Sequence, residues 1–217
     1  MAVPLLHGEG LRIERGGRVL LEGVAVGLAA GESADLEGPS GCGKSTLLRV
    51  LARLLPHAAG VLRLAGRTSA EVPAPEWRQG VAYVAQRPAA LPGSVRDNLL
   101  APWRLQVRRG QTGPSEAALR ERLAAWRLDL DLAAPAAATS GGELARLAIL
   151  RACLPGPRVL LLDEPEAMLD EVSAVALEDA LAVFVAAGGA VLRAVHRARR
   201  PAVRRLRIRA GALEAEA

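Results

Sequence analysis

The sequence predicts an α/β fold built on a mainly parallel β-sheet, and three observations predict it. Short apolar runs of strand type alternate with helical stretches, the order that lays helices on the faces of a parallel sheet. A glycine-rich loop, Gly38-Pro39-Ser40-Gly41-Cys42-Gly43-Lys44-Ser45-Thr46, stands between the run Ala34-Asp35-Leu36 and a helical pattern. The run Val159-Leu160-Leu161-Leu162 reads as a fully buried strand and ends in Asp163-Glu164. Ligands of such sheets gather at strand carboxyl ends, where both motifs fall.

Taken in order, Leu11–Glu14 and Val19–Leu28 read as strands divided by Gly16-Gly17, and Gly31-Glu32 leads into a buried strand over 33–37. The glycine loop opens a helix predicted to about Leu55, followed by an extended segment at Val61–Leu64 and a strand at Val81–Val84 that ends near Gln86. From 87 to 138 the character changes: Pro88, Pro92, Pro102, Pro114 and Pro135 punctuate helical stretches near Val95–Leu100 and Ser115–Trp126. That stretch reads as a small helical insertion. Ser140-Gly141-Gly142-Glu143 then opens a helix to about Cys153. After the strand at 159–162 come a helix over Ser173–Val185, a strand over Val191–Val195 and a last basic strand over Val203–Arg209. The segment 197–209 holds seven arginines; it reads as the solvated face of an edge strand, with contact to anionic lipid as the sharper alternative.

Composition narrows the classes. At 217 residues the chain is long enough for one α/β domain with an inserted subdomain. Apolar residues make up 51%, yet Trp, Tyr and Phe total only five, so Leu, Val and Ala must build the core. The net charge of +5 is too modest to imply a nucleic-acid partner. The start Met1-Ala2-Val3-Pro4-Leu5-Leu6 lacks the basic opening of a secretory signal, and the apolar stretch 180–192 is too short to span a bilayer. A soluble cytoplasmic protein is expected. Cys42 and Cys153 form neither a disulfide framework nor a metal spacing.

Lys44 is the only lysine; the other 27 of the 28 basic residues are arginine. It stands in the spacing Gly38-x4-Gly43-Lys44-Ser45, which is that of a phosphate-cradling P-loop. Glycines let successive N–H groups point at a polyphosphate, and the helix that follows adds its positive end. A compact ammonium suits the β- and γ-phosphates better than a broad guanidinium fork. Ser45 offers a hydroxyl to Mg²⁺. The chain is expected to bind a nucleoside triphosphate.

Asp163 and Glu164, delivered by a buried strand, suit two tasks: Asp163 to hold Mg²⁺ and Glu164 to polarise the attacking water. Ser140 with Glu143 would by itself be a helix capping box. In this order, however, the P-loop, Gln86, Ser140-Gly141-Gly142-Glu143, Asp163-Glu164, Leu169-Asp170 and His196 resemble the ATP-binding cassette (ABC) ATPases from about Leu11 to Gly211.

That resemblance implies an ABC-type P-loop fold over 1–217, with an antiparallel β subdomain and a helical subdomain at about 87–138. It implies ATP and Mg²⁺ as ligands, with Gly38 to Thr46 around the phosphates and Ser45, Gln86 and Asp163 at the metal. Glu164 would be the base, His196 would contact the γ-phosphate, and Lys44 and Gln86 would assist. Ser140, Gly141 and Gly142 would act on the ATP of a second subunit, so a homodimer or ABC dimer is implied. The stretch Trp77 to Gln86, followed by Asp97-Asn98-Leu99-Leu100-Ala101-Pro102-Trp103, is similar to the ATPase subunits of Fet-type iron exporters. This second resemblance implies an exporter of iron or another metal, docked on the inner face of the membrane through a separate permease. The family's DNA-handling members carry long coiled-coil arms, and no sustained heptads separate Lys44 from Ser140. Two departures stand out. No aromatic precedes the P-loop to stack on adenine, leaving Arg15 as the planar substitute, and Thr139 stands where the family has leucine.

Overall fold

Two sheets organise the chain, seen in a computed structural model that describes residues 4–196 and 203–216. The first is antiparallel, with β1 (Leu6–Arg15), β2 (Arg18–Leu28), β4 (Ala59–Leu64) and β5 (Arg67–Thr68) in the order β2-β1-β4-β5. Gly16 and Gly17 turn the β1–β2 hairpin with φ of 57° and 74°, the left-handed pair that matches strand twist. Leu11 and Ile13 of β1, and Leu21, Val24, Val26 and Leu28 of β2, face inward.

The second sheet holds β3 (Ser33–Glu37), β6 (Val81–Val84), β7 (Val159–Asp163), β8 (Ala190–Ala194), β9 (Arg204–Arg209) and β10 (Ala212–Glu216) in the order β10-β9-β3-β8-β7-β6. All its neighbours are parallel except β9 and β10. Strands β7 and β8 are buried at every position, as a sheet covered on both faces requires. Leu161 packs between the two sheets with α1 (Lys44–Leu51), whereas Leu160 and Leu162 face the opposite layer. That layer contains α5 (Gly141–Cys153), α6 (Glu171–Ala186) and the insertion helices α3 (Val95–Leu100) and α4 (Glu116–Ala125). The mixed α/β architecture expected from the sequence is thus present: a mainly parallel core, an antiparallel β layer and a helical insertion.

Four details differ from the sequence reading. The P-loop helix stops at Leu51, not near Leu55, because Arg53 takes a left-handed φ of 54°. An unforeseen short helix, α2 (Ala74–Gly80), closes that end: its wholly buried Trp77 donates its indole N–H to the Leu51 carbonyl at 2.9 Å. The basic strand β9 is not an edge strand, because β10 pairs with it on the outside. Leu206 and Ile208 anchor β9 in the core, while Arg204 pairs with Glu32 and Arg207 with Glu37, each at 2.9 Å. Arg197, Arg199 and Arg200 of the basic segment lie outside the described residues.

The fourth difference lies in the middle of the sheet. The run Ala34-Asp35-Leu36 was expected to be apolar, yet Asp35 is buried beside Arg193, its register partner on β8. The two side chains form an ion pair at 2.5 Å with exposures of 2% and 1%. Arg193 also reaches Glu178 of α6 at 2.8 Å and Glu166 at 3.4 Å. A buried guanidinium is tolerable only with such compensation.

Candidate nucleotide site

The glycine loop spans the gap between the end of β3 and the start of α1, so the helix's free N–H groups open toward it. Gly43, the residue before α1, has φ 110° and packs against Leu20; a side chain there would be strained and crowded. Gly38 is equally constrained, since a Cβ would approach Cys42 Sγ to 2.6 Å. The loop's shape therefore depends on glycine at both ends. Lys44 is 5% exposed and its Nζ donates to the carbonyls of Gly38 and Pro39 at 2.7 and 3.2 Å. The only lysine of the chain is held inside the loop that a polyphosphate would enter. Ser40 and Gly41 form the exposed rim, Cys42 is half-buried and Thr46 is buried in α1.

Beside the loop, Ser45 Oγ donates to Asp163 Oδ1 at 2.9 Å. The phenol of Tyr83 donates to Asp163 Oδ2 at 3.0 Å, and that phenol accepts from Arg49 Nε at 3.1 Å. Burial is the main cause that raises the Tyr83 phenol above its ordinary pKa. The hydroxyl and carboxylate at the loop fit a hard cation with oxygen ligands. Among the described residues no group of three or more His, Cys, Asp and Glu could hold a metal ion. A metal here would therefore share its coordination with phosphate oxygens, as Mg²⁺ commonly does.

One residue further on, Glu164 takes a left-handed φ of 49°, and its N–H donates to the Ala194 carbonyl at 3.0 Å. Its carboxylate lies against two side chains, Gln86 and His196. Gln86 Nε2 donates to Oε2, and His196 Nε2 lies 3.0 Å from Oε1. Glu164 and His196 share with Gly38, Pro39, Cys42 and Arg207 the wall of a cavity of about 870 Å³. The structure thus brings together the loop, Ser45, Asp163, Glu164, Gln86 and His196. Gln86 contacts Glu164 rather than the Ser45–Asp163 pair.

Two sets of predicted residues stand apart. Ser140 and Glu143 form the capping box at the start of α5: Ser140 Oγ donates to Glu143 Oε2 at 2.7 Å and accepts the Glu143 N–H at 3.3 Å. The Ser140 hydroxyl, together with the Ser140 N–H that donates to the same Oε2 at 2.9 Å, holds the Glu143 carboxyl below its usual pKa. Gly141 and Gly142 pack against Met168 and Leu169, and Asp170 caps α6 by accepting the Ser173 N–H. None of Ser140, Gly141 and Gly142 lines the cavity at the P-loop. Arg15 is exposed at the tip of the β1–β2 hairpin, opposite Arg18, and does not line that cavity either.

Sequence reasoning missed Tyr83, Arg49, Asp35 and Arg193. The signal for the last two was present: each is a charge set between apolar neighbours, Ala34 and Leu36 for Asp35 and Leu192 and Ala194 for Arg193. A second cavity, a groove of about 990 Å³, runs between the β6 segment and the insertion, with Val84, Leu91, Leu105, Val107 and Arg151 in its wall. It begins beside the segment that carries Gln86.

A family model described as ABC transporter matches residues 21–167. The probable iron export ATP-binding protein FetA of Escherichia coli (strain K12) is 37% identical over 169 residues, 77% of this chain and 73% of that one. The cytochrome c biogenesis ATP-binding export protein CcmA of Nitrobacter winogradskyi is 37% identical over 203 residues, 94% of this chain and 97% of that one. Among solved structures, one described as an ATP binding subunit of an ABC transporter superposes with a TM-score of 0.83 at 25% identity, covering 96% of this chain and 88% of its own.

Proposed function

The chain belongs to the ABC transporter family, as an ATP-binding ATPase subunit, and we propose that it energises an exporter of iron or another metal through a separate membrane permease. The observation that supports this use of the site is the convergence of the glycine loop, Asp163, Glu164, Gln86 and His196. The export direction draws on the two relatives named above, both described as export proteins. A different small molecule or lipid as cargo is the second reading. We take residues 1–217 as one ABC ATPase domain, with 87–138 as its helical subdomain.

In this reading the backbone N–H groups of Gly38 to Thr46 receive the phosphates, and Lys44 leaves the Gly38 and Pro39 carbonyls to meet the β- and γ-phosphates. Ser45 and Asp163 would hold Mg²⁺, with Gln86 as a further ligand once it leaves Glu164. When bound, the metal neutralises the charge on the β- and γ-phosphate oxygens. Glu164 accepts a hydrogen bond from the attacking water and polarises it, while His196 shifts from Glu164 to the γ-phosphate. Release of Glu164 from Gln86 and His196 is part of the step, because both donors now compete with the water for its oxygens.

Ser140, Gly141 and Gly142, at the start of α5, act on the nucleotide of a second subunit. A dimer closed by ATP and reopened by hydrolysis follows. No helix among the described residues is long and apolar enough to cross a membrane. In this reading the chain sits on the cytoplasmic face of the permease, with a segment of the permease in the groove beside the segment that carries Gln86.

The cargo assignment is tested in cells that lack this chain and are loaded with iron. Elemental analysis should show raised iron, returned to normal by the wild-type chain and not by Glu164→Gln. Unchanged iron and unchanged levels of the other transition metals in the deleted cells would overturn metal export.

A further inference from the structure

Tyr83 is the only tyrosine in the chain, and it is half-buried on β6, next to β7. Its hydroxyl has two side-chain partners, Arg49 Nε at 3.1 Å and Asp163 Oδ2 at 3.0 Å. A phenol carries one proton, and a guanidinium has donors only. The Arg49 contact must therefore use a lone pair of the phenol oxygen. The phenol proton is left for Asp163. The relay has one direction, from Arg49 through Tyr83 to the carboxylate. The Arg49 guanidinium also lies over the Tyr83 ring, 5.8 Å from its centroid, which fixes the pair further.

Asp163 is 3% exposed, and both of its oxygens accept from hydroxyls. Ser45 on α1 holds Oδ1 and Tyr83 on β6 holds Oδ2. The torsion that turns a carboxylate about its own axis is broad and nearly free. One anchor leaves the plane free to swing; two anchors from different elements set it. The Ser45 oxygen must also offer itself to the metal, so Tyr83 is the anchor with no competing duty.

We propose that Tyr83, oriented by Arg49, is a positioning residue that sets the plane of the Asp163 carboxylate for Mg²⁺ and thereby tunes metal affinity. The proposal rests on the reading of Asp163 as the magnesium carboxylate. Partners that orient a metal ligand typically contribute about 10–100-fold in metal affinity. Tyr83 should lie near the lower bound, because Ser45 keeps the other oxygen in place.

The test uses the whole chain and two probes, ADP and Mn²⁺. Tyr83→Phe keeps the ring that packs against the core and removes only the hydroxyl. Calorimetric titration of ADP in EDTA should give the wild-type dissociation constant. With Mg²⁺ present, the gain in ADP affinity should fall about tenfold. Electron paramagnetic resonance of Mn²⁺ at saturating ADP should report the same weakening without any turnover. Arg49→Met should shift both readouts in the same direction by a smaller factor. Equal losses of ADP affinity with and without Mg²⁺, or no loss in either, would overturn the proposal. Asp163→Asn separates the two claims: it should abolish the Mg²⁺-dependent gain. If Asp163→Asn keeps that gain, the magnesium assignment falls and the Tyr83 proposal with it. If Asp163→Asn loses it while Tyr83→Phe does not, only the Tyr83 proposal falls.

Discussion

Replacing Arg193 by methionine removes a cation that is 1% exposed and leaves Asp35, 2% exposed, without its partner at 2.5 Å. Glu178 at 2.8 Å and Glu166 at 3.4 Å also lose the guanidinium, but their exposures of 26% and 31% let water compensate. The penalty therefore comes mainly from Asp35. Breaking a buried pair by deleting one member typically destabilises by about 3–5 kcal/mol. For a chain of this size each kcal/mol moves the melting temperature by about 2–4 °C, so the fall should be roughly 6–20 °C. Arg193 Nε has no hydrogen-bond partner among the described residues, so the wild-type cluster is not ideally satisfied either. The double variant Arg193→Met/Asp35→Leu should accordingly recover most of the loss, since well-packed apolar replacements of a buried pair are often neutral or better. Thermal denaturation followed by circular dichroism, without nucleotide, measures both variants. A single variant melting with the wild type, or a double variant less stable than the single, would refute the argument.

Three further outcomes are expected. Ser140→Arg should bind ATP normally yet fail to hydrolyse it, because Ser140, whose hydroxyl bonds to Glu143 at the start of α5, is assigned to the partner's ATP; normal turnover would remove the trans role. Thiol labelling should mark Cys42, half-buried in the cavity wall, and spare Cys153, whose thiol burial pushes to about 12. Mg·ATP should protect Cys42, and equal labelling rates with and without nucleotide would contradict its place at the site. Base stacking on an aromatic typically contributes about 1–3 kcal/mol, and no Trp, Tyr or Phe precedes the P-loop. ATP and GTP should therefore bind within about tenfold of each other. Arg15→Ala should weaken both slightly, whereas a hundredfold ATP preference in a binding titration would show that another residue reads adenine.

Much of this was legible from local pattern. The P-loop, the strand ending in Asp163-Glu164 and the Ser140 capping box each have a sequence spacing tied to one backbone geometry, and each formed as expected. The helical stretch expected near 95–100 also formed, and there Ser94 and Asp97 cap it reciprocally. What escaped depends on neighbours distant in sequence. Asp35 and Arg193 are 158 positions apart, and only the strand order β3-β8 makes them adjacent. Tyr83 reads as an ordinary strand residue until β6 is laid beside β7, when its hydroxyl reaches Asp163. The strand β9 looked like an edge because its arginines were read as a solvated face. In fact Glu32 and Glu37 pair with two of them and β10 covers the outer side. Short elements such as α2 were lost because seven residues carry too little periodicity; burial of Trp77 defines that helix.

The account stands or falls on Glu164 as the group that activates water within an ATP-closed dimer. Glu164→Gln keeps the shape and the P-loop but removes the charge that Gln86 and His196 now address. Purified variant and wild-type chains should be run on a size-exclusion column with Mg·ATP, and phosphate release measured on the same samples. Glu164→Gln should elute as a dimer only when ATP is present, with phosphate release reduced by orders of magnitude. A variant that binds ATP but hydrolyses it at the wild-type rate, or that remains a monomer with ATP bound, would contradict the account.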